Sequence, residues 1–126
     1  MKLKAPLIGL MTLVISFQTY ATTETRHYPT GEKGIIEYVN GKPSKVTLYS
    51  KTGEVKQVEE LVNDKLSRVT HYYKTGEVKQ VVGFVNGKES RRTFYHKTGE
   101  IDEVQEYVNG KLLKGKIGRA SCRERV

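Results

Sequence analysis

The chain has 126 residues, a formal charge of +8 and a single cysteine, which is enough chain for one modest domain. Lys2 and Lys4 at one end, and Arg119, Arg123 and Arg125 less Glu124 at the other, supply half of that charge, so residues 22–116 carry only +4. Such a mild excess excludes the strong single-sign field of a dedicated nucleic-acid binder. The one thiol, Cys122, excludes a disulfide framework and a cysteine metal site.

In chain order, the first element is an export signal over residues 1–21. Lys2 and Lys4 precede an apolar run from Pro6 to Phe17, and Thr19-Tyr20-Ala21 sets small residues where a signal peptidase reads. The run is too short for a membrane span, which needs roughly 20 apolar residues. The mature protein is therefore expected in the periplasm or outside the cell, with no stable membrane insertion after cleavage.

Residues 22–116 are built on one period. The turn pairs Asn40-Gly41, Asn63-Asp64, Asn86-Gly87 and Asn109-Gly110 recur at intervals of 23. Thr-Gly-Glu recurs with its glycine at Gly31, Gly53, Gly76 and Gly99, at spacings of 22, 23 and 23. Tyr49, Tyr72 and Tyr95 keep the same step. Between the turns lie β-prone runs of about eight residues. Asn-Gly favours a hairpin turn with positive φ, and Lys-Thr-Gly favours a type I turn closed by glycine. No interval has room for a helical crossover, so neighbouring strands must run antiparallel.

The predicted fold is thus all-β: an antiparallel meander of four tandem hairpins of about 23 residues. Its first copy is expected to have a shortened turn. The recurrent apolar positions are Ile35, Val58, Val81 and Val104, then Tyr38, Leu61, Phe84 and Tyr107, then Val39, Val62, Val85 and Val108. They occupy both parities of the strand, so neither face is cleanly polar. The favoured register gathers Phe84, Val78 and Phe94 on one side. A lone hairpin is marginal in water, and stability must come from stacking several.

The last element, residues 117–126, breaks the period. IGRASCRERV is encoded codon by codon by ATCGGAAGAGCGTCGTGTAGGGAAAGAGTG, which looks like the start of a widely used sequencing-library adapter. The natural sequence is expected to be lost near Lys116, leaving the repeat array truncated.

The run YYKTGEVKQVVGFVNGK, with Tyr-x-x-x-Gly and then Asn-Gly-Lys, resembles the variant MORN repeat. That repeat is typical of the YwqK-type antitoxin components of toxin–antitoxin modules, and the resemblance covers Tyr28 to about Lys116. It implies a bacterial hairpin array that binds another protein, such as a toxin, and it brings no catalytic residues.

The residues themselves point the same way. His27, His71 and His96 occupy different neighbourhoods, whereas a metal site needs three or four converging ligands. Glu32, Glu54, Glu77 and Glu100 recur after every turn, as solvated scaffold charge does. No phosphate loop or nucleophile motif is present. The expectation is a non-enzymatic scaffold without cofactor or metal and without specific nucleic acid. Tyr49, Tyr72 and Tyr95, with Lys45, Arg68 and Arg91, form the candidate binding surface. The alternative reading gives that surface to a cell-envelope glycan or anionic polymer. Resequencing the source locus is expected to show codons after Lys116 that diverge from the adapter string; an unbroken native gene would refute the truncation.

Overall fold

The computed structural model describes residues 20–117, with side chains as far as Leu113. Apart from Tyr20, Ala21 and Ile117, the expected signal and adapter segments lie outside the described residues. The sequence places turns where chain reversal is cheap, and the chain reverses there. Nine strands result: β1 (Ala21–His27), β2 (Lys33–Val39), β3 (Lys42–Tyr49), β4 (Val55–Val62), β5 (Lys65–Tyr72), β6 (Val78–Val85), β7 (Lys88–Tyr95), β8 (Ile101–Val108) and β9 (Lys111–Ile117). They form one open antiparallel sheet in chain order, β1 to β9. Eight of the strands are the four predicted hairpins. β1 is additional: it pairs along β2 and is exposed throughout.

Each Asn turn has two residues at positive φ, as a type I′ hairpin requires. Asn40, Asn63, Asn86 and Asn109 lie at 52–53°, and the following Gly41, Gly87 and Gly110 at 80–81°. In the second copy that position is Asp64, at 64°. The Thr-Gly turns are equally regular. The Gly53 amide donates to the Ser50 carbonyl and the Ser50 amide to the Glu54 carbonyl. The pattern repeats at Tyr28, Tyr73 and His96, with Gly31, Gly53, Gly76 and Gly99 at φ of 94–107°.

Two β-bulges per repeat set the register. Ser44, Ser67, Ser90 and Leu113 stand without a Cα partner near one end of β3, β5, β7 and β9. Lys56, Lys79 and Asp102 do so near the start of β4, β6 and β8. The bulge serines are held in place: Ser44 Oγ donates to the Glu37 carbonyl at 3.2 Å and Ser90 Oγ to the Gly83 carbonyl at 3.3 Å. The first copy corrects one expectation. Its Thr-Gly turn is not shortened, since Tyr28 to Glu32 make the same hydrogen bonds as the later turns. The residue it lacks is the bulge, so β2 pairs β1 without interruption.

The bulges also decide which side chains share a face. One face carries an unbroken row of β-branched pairs: Thr25, Ile35, Thr47, Val58, Thr70, Val81, Thr93 and Val104. Thr47, Val58, Thr70 and Thr93 in this row are buried. The opposite face buries Ile36, Val69 and Val82. Phe84 and Phe94 share that opposite face, as predicted, but Val78 does not. The bulge at Lys79 puts Val78 opposite Tyr72, on the face of the threonine row. Every contact between strands joins chain neighbours, and no side chain among the described residues is fully buried. The sheet is a single layer.

Asp64 sets a test of the turn geometry. An L-residue in the left-handed region costs about 1 kcal/mol more than glycine. The ion pair from Asp64 to Lys42, 3.8 Å and exposed, contributes little against that. Asp64→Gly is expected to raise the urea midpoint by an amount equivalent to about 1 kcal/mol; an unchanged or lowered midpoint would count against the type I′ assignment.

Candidate binding surface

The six predicted residues all project from the face of the threonine row, but in two separate lines. Lys45, Arg68 and Arg91 lie on the Asn-turn side of that row, and Tyr49, Tyr72 and Tyr95 on the Thr-Gly side. Four residues separate the lines on each strand, roughly 13 Å. The cations already have partners. Lys45 faces Glu37 at 4.0 Å, Arg68 faces Glu60 at 3.8 Å and Arg91 holds Glu106 at 3.0 Å. Each is a directly opposed cross-strand pair. The result is a ladder of alternating sign from Glu37 on β2 to Glu106 on β8, interrupted at Gly83 between Arg68 and Arg91. Exposed pairs of this kind add little stability, yet they leave no row of like charge for a phosphate backbone to follow.

The tyrosines are half-buried. Lys33 Nζ sits 5.2 Å from the Tyr49 ring. Tyr72 lines an open pocket of about 410 Å³ between the first three Thr-Gly turns, with Glu32, Ser50, Lys51 and Lys74. The more engaged ring is one that sequence reasoning missed. Tyr73 donates its hydroxyl to the Tyr95 carbonyl at 2.7 Å, tying one repeat to the next. Lys79 and Lys97 lie 5.9 and 5.5 Å from its ring. Tyr73 shares its column with Tyr28, Ser50 and His96, and that variety hid it.

The glutamate column serves the turns. Lys56 Nζ reaches Glu32 at 2.6 Å, from the second repeat back to the first. A hydrogen bond from the Thr52 hydroxyl holds the Glu54 carboxyl below the usual carboxylate range. The Thr75 hydroxyl donates to Glu77. His96 Nε2 lies 3.2 Å from Asp102. Among the described residues, no three metal-ligating side chains converge.

A row of exposed valines lies at the opposite edge. Val39, Val62, Val85 and Val108, which the strand pattern suggests as packing positions, are 39%, 60%, 60% and 51% exposed. Each pairs across its hairpin with an exposed lysine: Lys42, Lys65, Lys88 and Lys111. Between successive hairpin tips are two clefts of about 330 Å³ each. One is lined by Val62, Lys65, Leu66, Phe84 and Asn86. The other is lined by the residues 23 positions on: Val85, Lys88, Glu89, Tyr107 and Asn109.

The molecule is therefore a single-layer antiparallel repeat sheet with matching features along both edges. No family model and no curated protein matches the chain. Solved structures share the fold. A chain of the glycosylation-associated protein complex Gap123 from Streptococcus agalactiae superposes over 81% of this chain with a TM-score of 0.61 and 12% identity. A chain of the complex of accessory secretory proteins 1, 2 and 3 from Streptococcus pneumoniae does so over 82%, with a TM-score of 0.53 and 16% identity. This chain spans 20% and 23% of those two chains. At such identity the likeness concerns the fold alone.

His71 yields a pH test. It occupies the column of Leu48 and Phe94 on the face opposite the threonine row. Burial holds its imidazole below the ordinary value near 6.5, with Lys79 and Arg92 adding to the effect and Glu59 opposing it. A depressed histidine binds its proton more readily in the unfolded chain, so stability falls as pH drops below the ordinary value. His71→Leu is expected to remove that loss: the gain in urea midpoint over wild type should be larger at pH 5 than at pH 8. A gain independent of pH would refute the burial effect.

Proposed function

We propose that this protein is a non-catalytic repeat scaffold that binds another protein outside the cytoplasm. The observation that carries the reading is the stripe of exposed valines at the Asn-turn edge, repeated once per hairpin and flanked each time by lysine. Apolar side chains left exposed at the same place in every copy suit a repeated contact with a partner. A chain that keeps valine outside in every copy is keeping a contact surface. The resemblance to variant MORN repeats favours an antitoxin-like role for this chain, with a secreted or envelope-acting toxin as its partner. The glycan reading draws less support, because Lys45, Arg68 and Arg91 are paired with carboxylates and the tyrosine rings are half-covered.

The test is affinity capture from envelope extract of the source bacterium, comparing the wild-type chain with a Val62→Glu/Val85→Glu variant. Both valines are more than half exposed, so the sheet tolerates the change. One protein is expected on the wild-type chain and absent from the variant. The same proteins on both, or none on either, would overturn the proposal.

A further inference from the structure

The clefts at the Asn-turn edge have a spacing that selects among ligands. Neighbouring strands lie about 4.7–4.9 Å apart, so equivalent points on successive hairpins are about 9.5 Å apart. We propose that this edge binds a partner segment in the polyproline II conformation, with a proline or other apolar residue at every third position and acidic residues between. This rests on the protein-binding reading above and names the ligand chemistry for it.

The pitch carries the argument. Polyproline II advances 3.1 Å per residue with three residues per turn, about 9.3 Å. One side chain per turn then meets one cleft per hairpin, with a mismatch of only about 0.2 Å per step. A β-strand offers a side chain to the same face every 6.6 Å or so and misses the second cleft by about 3 Å. An α-helix brings a side chain back to one face after two turns, about 10.5 Å, and misses by about 1 Å. The lining suits such a chain. Leu66 and Phe84 offer apolar walls from the face opposite the threonine row, and Val62 borders the cleft from the other face. The carboxamides of Asn63 and Asn86 stand at the rim, where the unbonded carbonyls of a polyproline II backbone need donors.

Charge fixes the rest of the ligand. Each cleft carries a lysine, Lys65 in one and Lys88 in the next. These lie on the outer row, away from the alternating ladder. Acidic residues beside the docked side chains would answer them, whereas a neutral sugar chain of similar repeat would not. The two clefts also differ. Where the first has Leu66, the second has Glu89, which Arg92 holds in a bidentate pair at 2.8 and 2.9 Å. That exchange of a leucine for an ion-paired glutamate is what distinguishes the two clefts.

The experiment is fluorescence anisotropy with the full chain and labelled (Glu-Pro-Pro)4. The controls are (Lys-Pro-Pro)4, the period-two peptide (Glu-Val)6 and an anionic hyaluronan oligosaccharide. The first peptide is expected to bind at least tenfold more tightly than any control. Val62→Asn/Val85→Asn should weaken it at least tenfold, and Lys65→Glu/Lys88→Glu should transfer the preference to (Lys-Pro-Pro)4. No binding, equal binding of the period-two peptide, tighter binding of the oligosaccharide, or indifference to the valine variant would each overturn the proposal. Failure here is separable from failure of the scaffold reading. A captured partner that depends on Val62 and Val85 but is not displaced by (Glu-Pro-Pro)4 overturns the peptide assignment alone.

Discussion

A sheet without a second layer has to be stabilised within its own plane. Every strand here leans only on the strands before and after it in the chain. The backbone ladder and the cross-strand side-chain pairs must therefore supply what a packed core supplies elsewhere. The row from Thr25 to Val104 shows how this is done. β-branched residues alternate strand by strand, shielding one another and the hydrogen bonds beneath them. Each such pair contributes roughly 0.2–1 kcal/mol, so the sum depends on having many of them in register.

Register in turn depends on two kinds of local geometry. Type I′ turns fix one end of each hairpin and glycine-closed turns fix the other. The bulges absorb the odd residue that a 23-residue repeat leaves over when its strands must keep their faces. Removing a bulge residue would exchange the buried and exposed sides of everything beyond it. The first copy, without its bulge, still fits because β1 pairs β2 directly and, among the described residues, no strand lies on the other side of β1.

The turns and hairpins were legible because their residues are nearly dictated by backbone conformation: positive φ leaves few choices beyond Asn, Asp and Gly. The faces were not. Apolar residues stand on both parities of each strand, so alternation alone cannot say where Val78 points, and the bulge at Lys79 reverses the simple answer. A signal was available in the column Ser44, Ser67 and Ser90, a small polar residue repeated inside otherwise β-prone runs. The valines at the Asn turns misled for a related reason. A repeated apolar position reads as packing, yet in a one-layer sheet an outer row has nothing to pack against. The candidate cations could be picked out by their recurrence, but the face they share and their carboxylate partners on adjacent strands could be known only from register. β1 carries no repeat marker and left no trace in the period.

Two segments of the chain, residues 51–58 and 74–81, are identical, reading Lys-Thr-Gly-Glu-Val-Lys-Gln-Val in both. They begin at equivalent turns, and each belongs to a strand that pairs only with its neighbours in the chain. Unequal recombination between the two stretches of gene would delete or duplicate a whole hairpin and rejoin the ladder without a seam. Sheet width can therefore change across generations in steps of two strands while the local structure stays as it was.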